Sequence, residues 1–473
     1  VGIEEPTLYR PADYRSSNIG GVGKRLGDNI DSGCLLRRAF FIGIRSEIDN
    51  RLLPADTFFV FFPPTTSGEV YPASIHNLPF LHNTDGHIEY LRQIPVERSI
   101  KKNCNNKRLA GDINNKFHTP MRIEQLTFTR FLAAIPIVLF HYSREIFPFN
   151  TPALNFLVVN ANMGVSYFFI LSGFVMAIAY GNRQSIDFGD FVKRRFARIY
   201  PVHFLAIILL LVCFVARNSP CSDYRGLLLN LTLLQSWVPG FALSFNVPAW
   251  SLSTEMFFYL SFPFIFNRLY RIEGNRKYLI YITIFFFIIA QILLHIAIKP
   301  TPLGEASTQF LGFAMYSPIT HINEFLIGNI AGFFFVEKKI KTRNYDLPII
   351  GLLVLLILTF KYNTFFILHN GLLAFIFVPF ILLLSANNGF ISKFANMKIP
   401  VFLGEISYSI YILQYAFVTL WGENSVRTNA TFFYPYLISL IIVAALSFKY
   451  IETPLRTIIT NMDIKQLFSR KKF

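Results

Sequence analysis

The sequence predicts an all-α fold, a polytopic membrane helix bundle of about ten transmembrane helices, and three observations lead there. The 473 residues are 53% hydrophobic and only 15% charged, against about 25% charged in ordinary soluble proteins. Ten apolar segments come near the roughly 20 residues that a bilayer requires. The basic residues concentrate in alternate connections between those segments, as the positive-inside rule demands. A soluble globule could not hide this much apolar surface, with 53 Phe among it.

Residues 1–120 stand apart from the rest. They carry 15 basic and 13 acidic residues, against 29 and 15 in 121–473, so nearly all of the net +16 belongs to the hydrophobic part. Their best apolar run, residues 57–63 (TFFVFFP), is far too short to span. No secretory signal pattern and no steady helical or strand period is visible. The basic cluster at 101–108 either binds an anionic surface or is simply solvated. The first Met is Met121, and an amphipathic, then apolar, pattern begins at once there. The expectation is a poorly structured N-terminal extension over 1–120, arising from upstream translation or dispensable. A membrane domain over 121–456 follows, and then a basic cytoplasmic tail over 457–473.

The spans are expected near 124–142, 162–181, 199–216, 250–267, 278–298, 320–336, 347–361, 363–385, 402–420 and 432–449. The shorter ones must tilt, pack, or be extended by interfacial aromatics. With the N-terminal side of the first span in the cytoplasm, the cytoplasmic connections are the basic ones. Connection 182–198 has Arg183, Lys193, Arg194, Arg195 and Arg198. Connection 268–277 has Arg268, Arg271, Arg276 and Lys277, and 337–346 has Lys338, Lys339, Lys341 and Arg343. The opposite connections are poorer, with Arg144, Lys299 and Arg427 in three of them. Residues 226–237 (GLLLNLTLLQSW) are apolar but only twelve long. Counting them as a span would place the charges of 268–277 outside, so they read as re-entrant or interfacial. Both termini of this integral membrane protein then face the cytoplasm. A nucleic-acid partner, which +16 suggests in a soluble chain, does not fit basic residues that alternate with spans. Cys34, Cys104, Cys213 and Cys221 show neither metal spacing nor a disulfide framework.

Polar residues at membrane depth cost about 2.5–3.5 kcal/mol on insertion scales, so they face an interior or a cavity and carry functional information. Arg130 and His141 lie eleven residues apart in the first span. Eleven helical steps make three turns plus about 20°, so both share one face about 16 Å apart. A neutral imidazole can take a proton from a hydroxyl, and a buried guanidinium can hold phosphate or carboxylate. An interfacial His with a snorkelling Arg is the competing reading, and geometry alone leaves both open. Arg195 and Arg198 share a helix face at the foot of the third span. They serve either as a phosphate clamp or as a positive-inside anchor. In residues 250–259 (WSLSTEMFFY), Ser251, Glu255 and Tyr259 form a polar stripe at i, i+4 and i+8. Glu255 can orient His141, as triad logic requires, or pair with an unrelated Arg. Residues 321–332 place His321, Glu324, Gly328 and Gly332 on one face. The glycines suit close helix packing, and Glu324 is a further binding-site candidate. Gly173 and the run 404–415 (GEISYSIYILQY) permit close contact or line a polar cavity. No G-x-S-x-G elbow, P-loop, G-x-G-x-x-G fingerprint or metal-ligand cluster is present in the sequence.

These segments together resemble the acyltransferase 3 family of integral-membrane polysaccharide O-acyltransferases. The motifs run in order through 121–456. They are LTFTRFLAA from Leu126, LFHY at His141, GVSYFFILSGF from Gly164 and RRFARIYP from Arg194. WSLSTEMFFY from Trp250, EFLIG from Glu324, GEISYSIYILQ from Gly404 and YIETPLR from Tyr450 complete them. Residues 1–120 match nothing in the family. The resemblance implies transfer of an acyl group, usually acetyl, from cytosolic acetyl-CoA as co-substrate to a glycan hydroxyl, with no bound cofactor and no metal. Partners would be acyl-CoA, a cell-surface glycan or lipid-linked sugar, and membrane lipid, with a bacterial inner membrane as the setting. The family's motif residues fall on Arg130, His141, Arg195, Arg198 and Glu255. In this scheme Arg195 and Arg198 hold CoA phosphates, Arg130 guides the acyl-pantetheine arm, and His141 is general base or transient acyl carrier, oriented by Glu255. Many relatives lead to a His where Gln414 stands here, so no role attaches to that position. Two alternatives remain: another donor such as succinyl-CoA, and a glycan or lipid transporter without acyl chemistry.

Overall fold

The computed structural model describes residues 123–217, 223–272, 274–298, 308–338, 340–363 and 366–462. The extension 1–120 and the tail 463–473 lie outside the described residues. Those described are mostly helical, with no strand among them. In chain order the α-helices begin with α1 (Gln125–Tyr142), α2 (Pro152–Val159), α3 (Gly164–Tyr180) and α4 (Phe188–Ala216). They continue with α5 (Tyr224–Thr232), α6 (Trp250–Phe264), α7 (Arg276–Ile298), α8 (Thr308–Tyr316) and α9 (Pro318–Lys338). Then come α10 (Asp346–Tyr362), α11 (Ala374–Ala386), α12 (Phe390–Ala395) and α13 (Lys398–Trp421). The last are α14 (Glu423–Thr428), α15 (Ala430–Ser447) and α16 (Thr453–Asn461).

Six helical stretches are long and apolar enough to cross a membrane: Pro152–Tyr180, Phe188–Ala216, Arg276–Ile298, Gln309–Lys338, Lys398–Trp421 and Ala430–Asn461. The other four expected spans fall on the shorter helices α1, α6, α10 and α11, of 18, 15, 17 and 13 residues, the last covering only 374–385 of the expected 363–385, so six and not ten of them meet that measure among the described residues. The apolar run at 226–237 forms only the nine-residue α5 and a short 3-10 turn, too little to span.

The helices divide into an inner and an outer set. Helices α3 and α9 pack on each other most extensively, and α1 packs on α13. Glycine makes both contacts possible. A Cβ at Gly328 would overlap the Ile170 carbonyl, and one at Gly404 would overlap the Thr127 carbonyl. Gly173 and Gly332 likewise meet backbone of the facing helix. All four glycines therefore serve close packing of helix on helix. The outer helices show the opposite pattern. On α7, Ile280, Ile284, Ile288 and Ile292 repeat every fourth residue and are all exposed. On α10 only Ile349 is buried. Apolar faces this large are incompatible with water and match hydrocarbon. The described part is that of an integral membrane protein.

One helix start differs from expectation in a way that matters. The third span was expected from 199, with Arg195 and Arg198 at its foot. Asp187 instead caps α4 by accepting the Asp190 backbone N–H at 2.8 Å. The helix therefore begins at Phe188, and both arginines lie two to three turns inside it.

Candidate active site

Every site residue singled out in the sequence is buried: Arg130, His141, Arg195, Arg198, Ser251, Glu255, Tyr259 and Glu324. Arg195 and Arg198 are only 4% and 3% exposed. Four helices enclose them. The Arg195 guanidinium lies 3.5 Å from the Tyr180 hydroxyl and over the rings of Phe191 and Tyr259, at 5.2 and 5.7 Å. Arg198 lies over the Tyr408 ring at 5.6 Å and faces the Glu452 carboxylate at 4.0 Å. Glu452 also accepts from the Ser409 hydroxyl at 3.1 Å and faces Arg456 at 4.0 Å. Two guanidiniums this deep need counter-charge and ring faces to offset the loss of water.

The polar stripe of α6 points into this cluster. Tyr259 donates to the Glu255 carboxylate, and both act electrostatically on Arg198. The structure thus joins Glu255 and Tyr259 to the arginine pair. The third member of the stripe, Ser251, lies further along α6 and shares a 3.2 Å hydrogen bond with the Tyr411 hydroxyl of α13.

Arg130 and His141 both point into the bundle from α1, as the eleven-residue spacing requires. Arg130 sits within electrostatic reach of Tyr167. That tyrosine donates to the Thr129 hydroxyl at 2.6 Å, which in turn donates to the Leu126 carbonyl at 2.8 Å. At the far end of α1, the charges acting on His141 are Arg427 and Arg144. Arg427 is held by Glu423 at 2.6 Å and lies over the Tyr142 ring at 5.6 Å.

Glu324 belongs to a separate group. Its carboxylate meets His321 Nδ1 at 2.8 Å, while His321 Nε2 meets the Met315 carbonyl at 2.8 Å. A carbonyl only accepts, so Nε2 is the donor to Met315. The Trp250 ring covers His321 at 5.2 Å. Gln414 is fully buried, and its side chain donates to the Tyr411 carbonyl at 3.1 Å.

Sequence reasoning missed Glu452, Ser409, Tyr408, Tyr411 and Arg427 as neighbours of the site. Glu452 and the three α13 residues lay within recognised motifs, but nothing in their spacing shows that α13 and the segment after α15 close around α4.

A helical membrane bundle with a basic, tyrosine-lined cluster toward one end and an imidazole toward the other defines the class. The chain belongs to the family described as an acyltransferase domain, acyltransferase 3, whose model matches residues 123–449. Among curated proteins it is similar to acyltransferase MdmB of Streptomyces mycarofaciens, 34% identical over 33% of this chain and 42% of that protein. It is also similar to O-acetyltransferase OatA of Staphylococcus aureus, 25% identical over 72% of this chain and 58% of that one. A third relative, "Putative peptidoglycan O-acetyltransferase YrhL" of Bacillus subtilis, is 25% identical over 64% of this chain and 52% of its own length. The chain spans about half the length of these relatives. No solved structure matches it.

Proposed function

We propose that this protein is a ten-span O-acetyltransferase with both termini cytoplasmic, set in a bacterial plasma membrane. It moves acetyl from cytosolic acetyl-CoA to a hydroxyl of a cell-surface polysaccharide or its lipid-linked precursor. The observation that carries the reading is the axial arrangement of the buried polar groups. Arg195 and Arg198 lie toward the N-terminal end of α4, whose opening turns also carry Lys193 and Arg194. His141 lies toward the opposite end, and Arg130 lies on the same face of α1 about 16 Å below it. Family membership and the names of the relatives agree with acyl transfer.

In this scheme the arginine pair holds CoA phosphates by charge-assisted hydrogen bonds. Glu255, Tyr259 and Glu452 fix the arginines in place, and Arg130 lines the path of the pantetheine arm. Ser251 and Glu324 line the same interior as polar contacts for the substrates. His141 takes the acceptor's hydroxyl proton as the oxygen attacks the thioester carbonyl. The carbon–sulfur bond then breaks, and the departing thiolate takes a proton to leave as free CoA.

The test is transfer of radiolabelled acetyl from acetyl-CoA to glycan in isolated membranes. His141→Ala is expected to lower the rate by about 10²–10⁴-fold, the usual contribution of a general base. An unchanged rate rejects the role of His141. Wild-type membranes that move glycan without acetylating it would favour a transporter.

A further inference from the structure

A cavity of about 320 Å³ opens at the His141 end of α1. Its size falls at the lower end of the range for small-molecule sites, roughly 300–1,000 Å³. Three separate parts of the chain build it. Phe140 and Arg144, one turn apart, come from the end of α1; Asn160 and Asn162 come from the junction of α2 and α3; Phe366 and His369 come from the connection after α10.

These parts are pinned together. Asn160 donates to the Phe156 carbonyl at 2.8 Å and to the Phe360 carbonyl at 3.4 Å. The Asn162 amide meets His369 Nε2 at 3.3 Å. The His369 carbonyl accepts from Gln291 of α7 at 2.9 Å, and Asn370 donates to the Ala314 carbonyl at 2.9 Å. The Arg144 guanidinium lies 4.3 Å from the centre of the Phe140 ring, its Nε–H on the Phe140 carbonyl at 3.2 Å. The cavity walls are therefore set before any ligand arrives.

The chemistry of the walls selects a class of ligand. Asn160, whose amide donates to two carbonyls, presents its oxygen as an acceptor, and the Arg144 guanidinium presents N–H donors, as a hydroxylated ring requires. The Phe366 ring, 59% exposed, offers a flat apolar face for the C–H side of a pyranose. Among the described residues Arg144 is the lining's single fixed charge and no carboxylate lines it, which suits a neutral or acidic sugar and disfavours an amine. A lipid tail would call for an apolar wall throughout. CoA phosphates find two guanidiniums at the arginine cluster and only one here.

The position sharpens this further. His141 follows Phe140 directly, and successive side chains on a helix diverge by about 100°. His141 is not among the residues lining the cavity, so a ring seated there is beside the imidazole and not under attack by it. We propose that this cavity is a subsite for the sugar adjoining the one that is acetylated, which makes the acceptor a glycan of at least two residues. The inference rests on the O-acetyl transfer reading above.

The test uses the purified full-length protein in lipid nanodiscs with acetyl-CoA. The acceptors are N-acetylmuramic acid alone and its disaccharide with N-acetylglucosamine. The wild type is expected to use the disaccharide at least tenfold more efficiently than the monosaccharide. Asn162→Leu and His369→Phe, which fill the cavity, should raise the KM for the disaccharide about tenfold. They should leave the KM for acetyl-CoA and the monosaccharide rate unchanged, which also shows that the variants fold. Asn162→Asp keeps the shape and should have a smaller effect. Equal use of both sugars, or cavity variants with an unaltered disaccharide KM, overturns the subsite while leaving acetyl transfer standing. A wild type that transfers acetyl to neither sugar nor to any glycan in host membranes overturns the parent reading, and the subsite with it.

Discussion

The carboxylate of Glu452 offers the sharpest separation between what holds the arginine cluster together and what the cluster binds. It is fully buried, 4.0 Å from both Arg198 and Arg456, and accepts the Ser409 hydroxyl at 3.1 Å. Glu452→Gln keeps the shape and an acceptor for Ser409 and removes one negative charge. Two unit charges 4 Å apart attract by about 4 kcal/mol at an effective dielectric of about 20. Removing one partner of a buried ion pair costs about 3–5 kcal/mol, because the other charge keeps its desolvation penalty. Separations of 4.0 Å put this case at the low end, about 3 kcal/mol. A loss of that size should lower the melting temperature by about 5 °C or more, read by intrinsic fluorescence of the protein in nanodiscs. The effect on donor binding has the opposite sign. One carboxylate fewer leaves the cluster more positive, so a phosphate-bearing ligand binds at least as well. The KM for acetyl-CoA should be unchanged or lower, and saturating acetyl-CoA should raise the melting temperature more in the variant than in the wild type. A variant with unchanged melting temperature and a raised KM would refute the reasoning, because Glu452 would then be contacting the substrate.

Arg198→Met is the converse case. Losing one or two charge-assisted hydrogen bonds of about 1.5–3 kcal/mol each should raise the KM for acetyl-CoA by tenfold or more, and an unaltered KM would place the phosphates elsewhere. Gly328→Ala drives a methyl into the Ile170 carbonyl. It should destabilise by about 1–3 kcal/mol or more, as overpacking does, visible as a lower melting temperature. Gly351→Ala is its control: a Cβ there meets nothing within 4 Å, so the melting temperature should not fall.

Much of the site was legible in one dimension because helices have a fixed pitch. The eleven-residue spacing of Arg130 and His141, the three-residue spacing of Arg195 and Arg198, and the stripe of Ser251, Glu255 and Tyr259 each define a face. Each face is buried in the structure. The bulk charge difference between 1–120 and 121–473 and the basic connections were legible for a similar reason, since solvation penalties act on composition. What helical pitch cannot give is which face meets which. Glu255 was expected beside His141. That it also accepts from Tyr259 within reach of Arg198 could not be read from spacing, because the rotation of α6 against α4 is decided by their packed side chains. Nor could spacing find Glu452, which reaches Arg198 across a sequence separation of 254 residues.

The amino-acid sequence by itself therefore determined the class of solvent this chain occupies, its helical segments, and the face on which each polar residue sits. Those follow from hydration free energy and backbone geometry, which are local. The tertiary structure alone decided that Arg195 and Arg198 are buried, through the Asp187 cap that starts α4 early and the closure of α13 and the segment after α15 around them. It alone assembled the cavity at the end of α1 from three distant connections. Such choices depend on how helices dock. Docking depends on where glycines such as Gly328 and Gly404 let two backbones touch, and that is a property of pairs of helices and of no single segment.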